Sequence, residues 1–148
     1  MTHIWTMYGE DYTINLKSIQ NRVSWLDVMI RDYLECALWA EIDGESGNAY
    51  TEDHDIEDFA PCAIEQAIKD CEEFSNHFHD CIMQLHQQCK YNQGQAGHDL
   101  WLTRCGHGAG FWDRGLHETG EKMTTKAESM GNRDLYKGDD GKLYITKG

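Results

Sequence analysis

The run GHDLWLTRCGHGAGFWDRG, residues 97–115, holds five glycines, two histidines, two arginines and two aspartates in nineteen positions. These are the residue types of acid–base chemistry on an anionic ligand. His98, His107 and Asp113 can exchange protons, and Arg104 and Arg114 offer planar forks for a carboxylate or phosphate. Gly106, Gly108 and Gly110 alternate with His107 and Ala109, and such a loop can turn its N–H groups into an anion nest. The spacing is not that of a dinucleotide-binding turn or of a P-loop, which ends in Lys-Ser/Thr. No nucleophile stands out, since Thr103 and Cys105 lack an activating signature. One reading is a small enzyme or nucleotide-binding protein using His107, Asp113 and Arg104. The plainer reading is a wide hairpin loop, with Trp101, Phe111 and Trp112 belonging to the core.

Negative charge is the second concentration. The chain has 26 acids against 13 lysines and arginines, a net charge of −13. Residues 41–73 hold twelve acids and one base, Lys69, whereas residues 90–148 hold nine bases and eight acids. A chain of this sign repels phosphate backbones, so direct nucleic-acid binding is not expected. It suits the proteins that bind those backbones. The expected recognition face consists of Glu45, Glu52, Asp53, Asp55, Glu57, Asp58, Glu65, Asp70, Glu72 and Glu73. Duplex DNA carries one charge per roughly 1.7 Å of axis, a density that carboxylates on successive helical turns approach. The plainer alternative is a solvated face that keeps the chain soluble. Calcium is a weaker reading, because no stretch has the spacing of an EF-hand loop.

Six cysteines, Cys36, Cys62, Cys71, Cys81, Cys89 and Cys105, read as small buried hydrophobes. The N-terminus predicts no signal peptide, and no apolar run is long enough to span a membrane. His77 with Cys81, and His86 with Cys89, have ligand-pair spacing, but no C-x-x-C is present. No metal and no cofactor are expected.

These residues need elements to position them. Residues 24–41 predict a helix, with Ser24 as N-cap and Asp27 closing a capping-box variant. Turn residues at 43–48 end it, and an acidic connection follows to residue 60. Pro61 suits the first turn of a long helix over 61–89, which "NQGQAG" at 92–97 should stop. "DLWLTR" and "FWD" read as two strands around the glycine loop. Residues 116–130 predict a helix stopped by Gly131, and "DLYKGDDGKLYI" a terminal hairpin. The expected fold is therefore α+β: two N-terminal helices, then two β-hairpins separated by a helix, forming a small antiparallel sheet covered by helices. Residues 1–22 read as an N-terminal arm and 23–148 as one domain.

The central run resembles a family of small acidic proteins encoded by bacteriophages and related mobile elements. Its signature is GHDxWLTRxGHGAGFWDRG. The matches are Gly97 to Asp99, Trp101 to Arg104 and Gly106 to Gly115, with Leu135, Tyr136 and Gly138 to Tyr144 in the hairpin. The segment YLECALWAEIDGESG, residues 33–47, is similar to the family's N-terminal helix and acidic turn. Leu100 stands where the family has Phe, and Cys105 where it has Asn. The resemblance implies a phage origin and a place in the host cytoplasm. It implies no activity.

The leading expectation is a phage accessory protein, more binder than enzyme, that inhibits a host protein through an acidic, DNA-mimicking surface. Its partner would carry a basic surface. Neither nucleic acid nor membrane is expected as a direct partner, and self-association stays open.

Overall fold

Five α-helices and two separate hairpins make up the described residues, 3–7 and 9–148, of the computed structural model. Strand β1 (His3–Met7) pairs antiparallel with β2 (Glu10–Ile14). Helices α1 (Leu16–Gln20) and α2 (Trp25–Ala40) follow, then two short 3-10 turns, Tyr50–Glu52 and Ile56–Asp58. Next come α3 (Pro61–Cys89), α4 (Gln93–Arg104), a 3-10 turn at Phe111–Asp113, and α5 (His117–Ser129). Strands β3 (Arg133–Lys137) and β4 (Leu143–Lys147) close the chain, with Leu135 opposite Ile145.

The expected α+β layout is overturned. The molecule is mostly helical, begins with strands rather than two helices, and carries two unconnected two-stranded ribbons instead of a roofed sheet. Residues 92–113 account for most of the difference. Asn92, expected to help stop a helix, instead starts one: its side chain accepts from the Gln95 N–H while Gln95 reaches back to the Asn92 N–H. The "DLWLTR" stretch is the second half of α4. Leu100, Trp101, Leu102 and Thr103 are all buried, so their alternation carried no periodicity. A short apolar run with no polar face fits a fully buried helix as well as a strand. The "FWD" strand is a single 3-10 turn. Gly106 (φ 69°) ends α4, with its own N–H on the Thr103 carbonyl and that of His107 on the Leu102 carbonyl. That is the Schellman pattern, which favours glycine at this position.

Elsewhere local chemistry acts as expected. Ser24 caps α2 in a reciprocal box with Asp27, Pro61 opens α3, and Gly131 (φ 83°) follows α5. The N-terminal segment contributes Trp5, Ile14 and Ile19 to the shared core. That core has α4 at its centre and α2 as its principal partner. Trp101 meets Tyr33 edge-on at 5.2 Å, and Phe111 stacks on Phe74 at 5.1 Å. Trp112, by contrast, is exposed.

The two central helices touch backbone to backbone at Gly97. A Cβ there would overlap the Met29 carbonyl oxygen and press on the Met29 backbone. On an exposed helix, Gly→Ala stabilises by about 1 kcal/mol. Here Gly97→Ala is expected to destabilise by about 1–3 kcal/mol through overpacking, visible as a lower midpoint in thermal unfolding followed by circular dichroism. An unchanged or raised midpoint would contradict the close approach.

Candidate functional site

Two of the residues singled out from the sequence are consumed inside the fold. Asp70, on α3, is only 4% exposed. Its carboxylate accepts from the Tyr33 hydroxyl (2.8 Å), from Arg133 Nε and Nη2 (3.1 and 2.9 Å), and from Gln66 (2.9 Å). Arg104 Nη1 lies 3.0 Å from the same carboxylate. The remaining guanidinium nitrogens of Arg104 donate to the Met130 and Gly131 carbonyls, both at 2.7 Å. Those carbonyls sit at the C-terminal end of α5, the negative pole of that helix. Burial, followed by the Asp70 carboxylate, pushes the Tyr33 phenol well above its ordinary value. Asp70 therefore does not belong to an outward acidic face, and Arg104 is not presented to a ligand.

The other loop residues divide among separate partners. Arg114 grips Asp99 through Nη2 (2.8 Å) and Nε (3.1 Å), and the Tyr91 hydroxyl donates to that carboxylate at 2.6 Å. Asp113 accepts from the Gly110 N–H at 3.1 Å, closing the 3-10 turn. His107 Nε2 pairs with Glu41, which also accepts from the Trp101 indole at 2.8 Å. His98 lies against Trp39, ring centroids 5.7 Å apart. The structure brings His98 and Arg114 into one cleft and leaves Arg104, His107 and Asp113 outside it. Thr103 Oγ accepts from the Phe111 N–H at 3.3 Å. Burial pushes the Cys105 thiol up to about 12, and pushes that of Cys36 up as well. Both stay protonated at neutral pH, which is not the state of a reactive cysteine.

The acidic residues also separate. Glu45 shares Lys137 with buried Asp43, Glu65 pairs with Lys69, Glu73 with Lys126, and Glu72 with His3. Glu52, Asp53, Asp55, Glu57 and Asp58 form no ion pair with lysine or arginine among the described residues; Asp58 meets His54 at 3.2 Å. Buried Tyr50, Ile56 and Phe59 anchor their segment, and Phe59 bridges to Leu143 of β4. These anchors leave Glu52, Asp53, Asp55 and Glu57 exposed between them.

Trp39 is the residue that sequence reasoning missed. It is 61% exposed at the end of α2, on a ridge between two clefts of about 660 and 630 Å³. Asp32, Glu35 and Asp99 line the first, with His98 and Arg114; Glu35, Asp55 and Glu57 line the second, with Arg31. The signal was present: Trp39 falls off the face shared by Leu34, Ala37 and Leu38. A tryptophan on the polar side of an amphipathic helix calls for an explanation.

Among the described residues, no group of three or more His, Cys, Asp or Glu side chains is placed to hold a metal, and no helix is long and apolar enough to cross a membrane. Compared with known protein families, with characterised proteins and with solved structures, the chain matches none.

Two measurements test these assignments. Asp70→Asn leaves two buried guanidinium groups without their counter-charge, and is expected to cost about 3–5 kcal/mol in denaturant unfolding. A loss below about 1 kcal/mol would place the cluster in water. Burial also lowers the pKa of His79, despite Asp80 pushing the other way. The unfolded chain therefore takes up that proton first, so the stability it confers is present above about pH 6.5 and fades as pH falls below it. Between pH 7.5 and 5.5, His79→Phe should lose less stability than the parent chain. Equal losses would refute this.

Proposed function

We propose that this chain is a protein-binding module that docks on a basic surface, with Trp39 as its anchor and the carboxylates of residues 52–58 as its charged rim. The observation that carries the reading is an exposed tryptophan on a cleft shared with Asp55 and Glu57, neither of them ion-paired among the described residues. Binding hot spots are commonly aromatic anchors surrounded by polar groups that set orientation and exclude water. Local charge supports the choice. The last turn of α2 has no basic residue to offset its negative pole, and its C-cap is itself an acid, Glu41, held by Trp101 and His107. An element optimised for its own stability would place lysine or arginine there.

The partner of this reading is a protein whose basic surface normally holds nucleic acid, and occupation of that surface inhibits it. The resemblance of residues 97–115 to acidic phage proteins supports a host protein as the target and the host cytoplasm as the setting. The glycine loop then serves the fold rather than a reaction: it ends α4 and fastens the following turn through Asp99 and Arg114.

The test begins with a tagged chain in bacterial lysate, followed by titration of the purified captured protein. A partner of isoelectric point above 9 is expected, displaced by duplex DNA and weakened several-fold between 50 and 200 mM salt, in line with the order of magnitude for charge-driven binding. Trp39→Ala should weaken it roughly thirtyfold or more, the scale of an aromatic hot spot, with the circular dichroism spectrum unchanged. Recovery of acidic partners alone, or salt-independent affinity, would overturn the reading.

A further inference from the structure

We propose that the cleft between α2 and residues 51–57 receives one arginine side chain of the protein partner, with its guanidinium against the Trp39 indole and its edge donating to Asp55 and Glu57. The inference rests on the docking reading above and names the group which that face recognises. The cleft has a volume of about 630 Å³.

Trp39 supplies a flat wall. It is 61% exposed, and the ring it meets among the described residues, His98, lines the other cleft. In this cleft the indole therefore has no ring partner among the described residues. Buried Leu38 and Ile56 line it as well. Asp55 Oδ1 accepts from the Glu57 N–H at 2.9 Å, and Glu57 Oε1 accepts from the Gln20 side-chain amide at 3.0 Å. Among the described residues, the second oxygen of each carboxylate makes no hydrogen bond, and neither residue has an ion pair.

The other charged groups of the cleft are already engaged. Arg31 donates from Nε to Glu35 at 2.9 Å and from Nη1 to the Gln20 carbonyl, so the Arg31–Glu35 pair is internally compensated. His54 meets Asp58 at 3.2 Å. Two negative charges are left over, and charge complementarity selects a cation. An apolar anchor would strip water from both carboxylates and offer no counter-charge, and an anion would be repelled. Between the two cationic side chains, a guanidinium fits better. It is planar and weakly hydrated, and it stacks on an aromatic face while donating from its edge. An ammonium is a strongly hydrated point charge and gains less from the indole.

The test uses the intact ¹⁵N-labelled chain and two capped peptides of equal charge, tetra-arginine and tetralysine. In NMR titrations tetra-arginine should move the Trp39 indole N–H signal and bind roughly fivefold more tightly than tetralysine, the scale of an exposed cation–π contact. Trp39→Leu should bring the two peptides to equal affinity. Asp55→Asn with Glu57→Gln should weaken tetra-arginine by about threefold more than Glu118→Gln with Glu121→Gln, which removes the same charge from α5. Equal affinity of the two peptides for the parent chain, an unmoved Trp39 signal, or equal losses from the two double variants would overturn the arginine assignment. The docking reading is decided separately, on the captured partner. A partner weakened by Trp39→Ala while the two peptides bind alike would keep that reading and refute this one.

Discussion

A single buried carboxylate joins five parts of this chain. Asp70 of α3 holds Tyr33 of α2, Arg104 of α4 and Arg133 of β3, and Arg104 carries the contact on to the C-terminal end of α5. Two guanidinium groups face one carboxylate, so the cluster would be too positive without the Met130 and Gly131 carbonyls. A helix terminus supplies the missing negative potential. In a medium of low dielectric such attractions are strong, and so is the cost of breaking one. The elements are thereby tied in one arrangement: shifting any of them leaves a desolvated charge without its partner.

That arrangement depends on a second constraint, the close contact of α2 and α4. Gly97 lets the backbones touch at Met29, which places Tyr33 and Arg104 within 3.2 Å of each other. A buried central helix then needs its ends satisfied. Asn92 and Gln95 do so at the start, and Gly106 does so at the finish. The glycine-rich run that looks chemical in the sequence is, in the fold, the exit of this helix. Arg114 on Asp99 fixes where the chain goes next.

Charge in this protein is thus divided between two uses. Asp70, Asp99 and Asp43 are buried and held by arginines or by Lys137, where they specify contacts. Glu52, Asp53, Asp55 and Glu57 are held outward by the anchoring of Tyr50, Ile56 and Phe59, and Asp55 and Glu57 share a cleft with Trp39. Net charge far from zero disfavours compactness through self-repulsion, so this outward cluster costs stability where the buried carboxylates confer it.

Much of the local structure was legible in the sequence. Ser24 with Asp27, Pro61, the apolar stripe of α3 as far as Leu85, Gly131 and the GDDG turn each act through neighbours a few positions away, and each formed where expected; of the six cysteines expected to be buried only Cys36 and Cys71 are, and Cys62 and Cys89 are exposed. Asn92 with Gln95 carried the same kind of signal, outweighed by two glycines and an apparent alternation at residues 100–103. The candidate site was far less legible. In sequence, Asp70 resembles Asp53 and Arg104 resembles Arg114, because an ionisable side chain has no role until its surroundings are set. Asp70 meets its partners across intervals of 34 and 63 residues, and Gly97 meets Met29 across 68. The sequence by itself determined α2, α3 and α5, the terminal hairpin and the excess of negative charge. Only the tertiary structure decided which charges point inward, which tryptophan faces water and where the glycines bring backbones together, because burial and pairing are properties of distant segments brought into contact.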